Sequence, residues 1–203
     1  MPAVITEPIP QQNFELVNAQ LGAIVRLELD NQKDLHGVNL PNDHEVYLER
    51  DVPYDQSEDV VAMISFDNSN YEQQQASGQL GPCIYNIDLY GQSKYKQESR
   101  GDELAGRLVQ RYLGMIRYIL SSTKYNTLGF QPGFVGGVNV QRIQMYQNEG
   151  HQDARSVRMG RLVVGVRVYE GQQLWDGVNL NVHNTQVKLD LTDKGYKYEL
   201  ITA

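Results

Sequence analysis

The side chains that could carry chemistry are few and scattered along the chain. The four histidines, His36, His44, His151 and His183, have no ligand-type neighbour three or four residues away, the spacing at which a helix offers two ligands to one ion. His151 and Asp153 share a turn-like stretch, where solvation is a commoner fate than metal binding. Cys83 is the only cysteine, which excludes an intramolecular disulfide and any zinc site built from several thiolates. It precedes Ile84 in a strand-like segment and reads as a small core residue rather than a nucleophile. There is no Gly-x-Ser-x-Gly elbow and no phosphate loop ending in Gly-Lys-Ser/Thr. The glycines of Gly133 to Gly137 lack that lysine and the strand-then-helix setting a phosphate cradle requires. Arg100-Gly101-Asp102 matches an integrin-type tripeptide by letters, but it opens a predicted helix. Carboxylates crowd the first half so densely that no pair stands out as a general acid and base. These residues imply neither an enzyme nor a cofactor.

Charge is more informative than any single motif. The net charge of −7 divides unevenly: residues 1–98 hold 5 Lys/Arg against 16 Asp/Glu, residues 99–171 hold 10 against 5, and residues 172–203 hold 3 against 4. The segments therefore carry −11, +5 and −1. Arg142, Arg155, Arg158, Arg161 and Arg167 fall on or beside a predicted hairpin. In an acidic chain with few aromatics interleaved there, sequence-specific nucleic-acid binding is not expected. Opposite signs in successive segments suit head-to-tail contacts between copies, because complementary patches steer and register an interface. The expected subunit interface pairs Arg155, Arg158 and Arg161 of one copy with Asp51, Asp55, Glu58 and Asp59 of the next. The alternative is that these charges solvate separate faces of one monomer.

The elements that position these residues follow from hydrophobic spacing. After an arm bearing Pro2, Pro8 and Pro10, residues Phe14, Val17, Leu21, Ile24, Val25 and Leu29 predict a helix from about Asn13 to Leu35, with Asn13 as its cap. Gly22 lies inside it, and close packing is the reason to expect a glycine there. Glu45 to Arg50, Asp59 to Phe66 and Cys83 to Tyr90 alternate as strands, and the polar stretch Asp67 to Pro82 reads as a surface loop. From Ser99 to Ser122, the stripe Leu104, Leu108, Tyr112, Met115, Ile116 and Ile119 predicts a second amphipathic helix, opened by a capping-box-like Ser99 and Asp102. A glycine-rich shaped loop, Tyr125 to Gly137, leads to long strands at Val138 to Tyr146 and Val157 to Tyr169 joined by a turn at Glu149 to Ala154. At the end, Val178, Leu180 and Val182, then Val187, Leu189 and Leu191, flank a turn at His183-Asn184-Thr185, and Tyr196 and Tyr198 continue the alternation.

This order predicts an α+β fold: a mixed or antiparallel β-sheet with two main helices packed on one face, plus a C-terminal β-hairpin extension. The core spans residues 1–171, including an N-terminal arm at 1–12, and the extension spans 172–203. A composition of 40% hydrophobic and 21% charged residues over 203 positions supports a substantial core. The N-terminus lacks the cationic start and apolar run of a secretory signal, and no run of about 18 apolar residues suggests a membrane span. Synthesis and retention in the cytoplasm are expected.

The stretches FELVNAQLGAIVRLELDNQKDL from Phe14, YNIDLYG from Tyr85, SRGDELAGRLVQRYLGMIRYIL from Ser99, YNTLGFQPGFVG from Tyr125 and DARSVRMGRLVVGVRVYE from Asp153 resemble the tail-terminator and neck proteins of long-tailed bacteriophages, particularly contractile ones. The likeness covers about the first 170 residues. It implies a hexameric ring in the virion, assembled in the host cytoplasm. Such a ring caps the tail tube, ends tube growth and joins the tail to the head connector, with genomic DNA passing through its lumen. Implied partners are further copies of the chain, the tail tube and sheath, and the neck proteins. Another connector of the same virion, a carbohydrate-binding or adhesive β module suggested by the 13 tyrosines, and an enzyme are the alternatives.

Overall fold

The computed structural model describes residues 8–37, 43–50, 59–75, 78–94, 101–146, 155–171, 182–187 and 196–201. The chain divides into two compact units, Met1–Gly171 and Gln172–Ala203. The first contains helix α1 (Asn13–His36), strands β1 (His44–Leu48), β2 (Val60–Ser69), β3 (Glu72–Gln75) and β4 (Gly78–Lys94), helix α2 (Gly101–Leu120), and strands β5 (Val135–Tyr146) and β6 (Arg155–Gly171). Its sheet runs in the order β1-β2-β4-β6-β5, with β3 also paired to β4. β1 joins β2 in parallel and every other pairing is antiparallel. The fold is thus α+β with a mixed sheet. In the second unit the described residues form two strands, β7 (Val182–Val187) and β8 (Tyr196–Ile201), paired antiparallel.

Both helices pack on one sheet face, where Cys83, Tyr85, Ile87 and Leu89 of β4 and Leu162, Val164, Val166 and Val168 of β6 are buried in one continuous core. In α1, Val17, Leu21, Ile24, Val25 and Leu29 supply the apolar stripe. A Cβ on Gly22 would lie 2.7 Å from a methyl of Leu48, so the helix does use this glycine for close packing against β1. The helix start differs from expectation. Asn13 is its first residue rather than its cap, and its side-chain amide donates to the carbonyl of Tyr169. The first amides are taken by a carboxylate from the end of β6: Glu170 accepts from the backbone N–H of Asn13 at 2.9 Å and of Phe14 at 2.7 Å. A carboxylate there also faces the positive end of the helix dipole.

Three further expectations need correction. The segment expected to loop from Asp67 to Pro82 is largely strand. The β2–β4 ladder continues through a bulge between Phe66 and Asn68 to Ser69 opposite Cys83, and β3 pairs with the start of β4. Ladder bonds use only backbone groups, so a run of Asn, Gln, Ser and Gly can pair where a neighbouring edge is open. His183, Asn184 and Thr185 lie within β7 and not in a turn. In α2 the burial centre is rotated: Ala105, Val109, Tyr112, Leu113, Ile116 and Leu120 are at most 2% exposed, whereas Leu108 only borders the core. The capping pair Ser99 and Asp102 falls outside the described side chains, as do the strands expected at Val178 and Leu189.

The glycine-rich connection from α2 to β5 is turned, as its composition implies. Gly129 and Gly133 adopt φ of 80° and 93°, in the left-handed region that glycine occupies without steric cost. The loop is also anchored, since Leu128 is fully buried and its carbonyl accepts from Gln20 Nε2 at 3.0 Å. Ile116 is 0% exposed, so Ile116→Ala should destabilise by about 2–5 kcal/mol in urea unfolding. Leu108→Ala should lose clearly less, and an equal loss in both variants would contradict this burial pattern.

Candidate assembly interface

Strand alternation decides where the arginines of β6 go. Arg158 pairs in register with Gly91, whose Cβ position abuts Val109 of α2, and its own side chain approaches Gly106 of α2. It therefore lies on the helix-bearing face. Arg161 is three residues on and takes the opposite face. There it is opposite Asp88 of β4, and its Nε and Nη2 donate to the two carboxylate oxygens at 2.6 and 2.7 Å. The Asp88 side chain is 12% exposed and that of Arg161 is 31% exposed. This bidentate pair holds the guanidinium well above its usual range, and such geometry is the strongest a carboxylate and arginine can adopt. Tyr146 of β5 lies under the guanidinium, with its ring centroid 6.0 Å away. Burial, followed by the Asp88 carboxylate, raises the Tyr90 hydroxyl beside them.

The arginines of the expected interface do not form one surface. Arg158 and Arg161 occupy opposite faces, and Arg161 is engaged by Asp88 of its own chain. Arg155 opens β6 opposite Lys94. Of the acidic set, Asp59 is exposed just before β2, where its carbonyl accepts from the N–H of Gln92 at 3.0 Å. Asp51, Asp55 and Glu58 lie outside the described residues.

A different surface emerges at β5, the terminal strand of the sheet. Val138, Val140, Ile143 and Met145 pair with Val166, Val164, Leu162 and Gly160 of β6 and so share the helix-bearing face. The parity changes between Val140 and Ile143 because a bulge intervenes between Val140 and Arg142. The extra residue, Gln141, reaches across Gly165, where any Cβ would meet its amide at 2.3 Å. α2 passes this level of the sheet over β6, where Val109 and Leu113 reach the Gly160 position opposite Met145, yet Ile143 is 44% and Met145 36% exposed. The shift from even to odd apolar positions within Val138 to Tyr146 is the sequence signal of that bulge.

The helices enclose a second feature, a cleft of about 570 Å³ lined in part by Glu28, Arg111, Gly114, Tyr118 and Lys124. Glu28 accepts from Lys124 at 2.7 Å and from the hydroxyl of Tyr125. The Lys124 hydrogen bond is the main cause that lowers the Glu28 carboxyl below its ordinary value. These groups tie α1 to the turn after α2. Elsewhere, Cys83 is fully buried, 3.4 Å from the Ser69 hydroxyl. His44 is buried with Nε2 at 3.1 Å from Asp30, although neither ring nitrogen reaches hydrogen-bond geometry. His36 meets Arg111 at 3.1 Å. Among the described residues, no group of three or more His, Cys, Asp or Glu side chains is arranged to hold a metal ion, and no helix is long and apolar enough to cross a membrane.

Arg161→Met strands a largely buried carboxylate and should destabilise by about 1–3 kcal/mol, between the values for buried and exposed pairs. Adding Asp88→Asn should recover part of that loss. Unchanged urea midpoints in the single variant would show that the pair contributes nothing. For Glu28 the folded carboxyl titrates below the ordinary value of 4.5. Its contribution is therefore present above that value and is lost as the pH falls through the lower folded one. Glu28→Gln should flatten this part of the acid limb in a stability profile against pH, and a superimposable profile would contradict the assignment.

No family model matches the chain, and no curated protein matches it either.

Proposed function

We propose that this chain is a ring-forming structural protein of a phage tail, located at the head-proximal end, where the ring ends tail-tube growth and joins the tail to the head connector. Support comes first from the residues of the five stretches that resemble tail-terminator and neck proteins. A fold shared in outline carries little functional weight alone. The observation that carries the proposal is the open side of the sheet: β5 ends the strand order and exposes Ile143 and Met145 beside α2.

An uncovered strand edge with apolar neighbours is a template for pairing, and soluble proteins normally shield it. A closed ring meets that need, because each head-to-tail contact covers one such edge and rotation closes the set without leaving a free end. The uneven charge along the chain favours that heterologous arrangement over a face paired with itself. The ring takes the tail tube, sheath and neck proteins as partners, and DNA threads its lumen without base-specific contacts.

Light scattering on the full chain, with negative-stain imaging, tests this directly. A closed multi-subunit species is expected at low salt. It should weaken as salt rises and the Debye length shrinks from about 10 Å at 0.1 M to about 3 Å at 1 M. A monomer at every concentration and salt level would sink the ring.

A further inference from the structure

The main sheet has two ends, and the end opposite β5 is β1. Helix α1 keeps step with that strand. Gly22 abuts Leu48, Arg26 reaches Val46, and Asp30 stands 3.1 Å from His44. Four residues of helix advance about 6 Å and two of strand about 6.6 Å, so each turn of α1 meets the next residue on the helix-facing side of β1. One of these contacts is to the backbone: Arg26 Nη2 donates to the carbonyl oxygen of Val46 at 2.5 Å. That oxygen lies on the outer side of the strand. Asp43 accepts from the N–H of Val60 and Glu49 donates to Ile64, so the odd-numbered residues turn their backbone groups toward β2 and Val46 turns its own away from the sheet.

We infer that Arg26 is a guard that keeps copies of this chain from joining β5 of one to β1 of the next in an open-ended sheet. The two edges otherwise fit. β1 has five residues, and beyond its bulge β5 pairs regularly over five, Arg142 to Tyr146. Set parallel with Arg142 beside Glu45, the strands bring Ile143 beside Val46 and Met145 beside Leu48 on the helix-bearing face, where Leu48 is 40% exposed. On the other face Gln144 comes beside Tyr47. Glu45 and Arg142 are both exposed and, among the described residues, neither has an ion-pair partner. Opposite charges and apolar pairs at such cross-strand positions favour pairing. Each copy added in this way presents a fresh β5 edge, and a head-to-tail contact that does not close grows into a filament.

The guard acts at the middle of the edge. A strand added to β1 needs the outward carbonyl of Val46 as an acceptor, and a guanidinium already fills it. A charged donor makes the stronger hydrogen bond, so an incoming backbone N–H displaces it only at a loss. A cation held over an edge strand is also a common means of refusing strand addition. The sheet is left with β5 as its accepting edge. Under the ring reading, a neighbour therefore meets β5 with a surface other than its own β1 strand; the guard itself does not require the ring.

Arg26→Ala and Arg26→Gln in the full chain test this by light scattering and negative-stain imaging over a range of concentrations. The parent should hold one size. Both variants, with the main thermal transition retained, should form strings whose mass keeps rising with concentration. In the Arg26→Ala background, Glu45→Arg should suppress the strings, and adding Arg142→Glu should restore them. Variants that fold and keep the size of the parent would overturn the guard, as would growth indifferent to both charge reversals, which marks unspecific aggregation. Loss of the thermal transition in both variants would make Arg26 a support of the fold and overturn it too. A monomeric parent whose variants form strings would remove the ring and leave the guard standing. Rings in parent and variants alike would do the reverse.

Discussion

Strands β4 and β6 pair without interruption from Gly78 opposite Gly171 to Lys94 opposite Arg155, and the rest of the core is arranged around this ladder. Every other strand of the first unit attaches to one of the two directly or through β2. The same ladder sets the side-chain parity that aims Cys83, Tyr85, Ile87 and Leu89 at the helices and Asp88 at Arg161. A slip of one residue would exchange these two sets and bury charge under α1 and α2. The bidentate ion pair and the apolar face therefore enforce one register from opposite sides of the sheet. Neither could be satisfied in the alternative.

The helices are fastened to this frame at their ends as well as through their stripes. Glu170, near the end of β6, receives the first amides of α1, and the hydroxyl of Tyr85 donates to the Phe14 carbonyl at 2.8 Å. Along α1, Gln20 reaches Leu128, Glu28 reaches Lys124 and Tyr125, and His36 reaches Arg111. Partners that move backward along the chain as α1 advances mean that the two helices run antiparallel. These ties position α2, whose Val109 and Leu113 pack at the Gly160 position beside Met145, while Ile143 and Met145 stay partly exposed on β5.

Much of this organisation was legible from apolar spacing alone. The two helices and the long closing hairpin stand where the stripes of Val17 to Leu29 and Tyr112 to Ile119 and the alternation of Leu162 to Val168 imply. Polar strands were not legible: Glu72 to Gln75 and His183 to Thr185 carry no apolar face, and their pairing depends on a neighbouring edge that local composition does not reveal. The candidate interface was the least accessible part. Counting arginines gathers Arg155, Arg158 and Arg161 into one patch, whereas the odd spacing between Arg158 and Arg161 places them on opposite faces. The shift in parity after Val140 was readable in principle, but its meaning depends on which strand lies at the edge.

The clamp on the first helix also bears on when the protein can fold. The acceptor for the Asn13 amide lies 157 residues further along the chain, and β4 gains its long partner only when β6 exists. During translation, everything up to the end of α2 is therefore made before the central ladder can close, with the β4 edge bare and the start of α1 lacking its carboxylate. Pairing over such sequence distances is slow because loop closure precedes the contacts that compensate for it. The core is completed only after nearly all of its own sequence, through β6, has left the ribosome. The β7–β8 pair follows that last strand of the sheet.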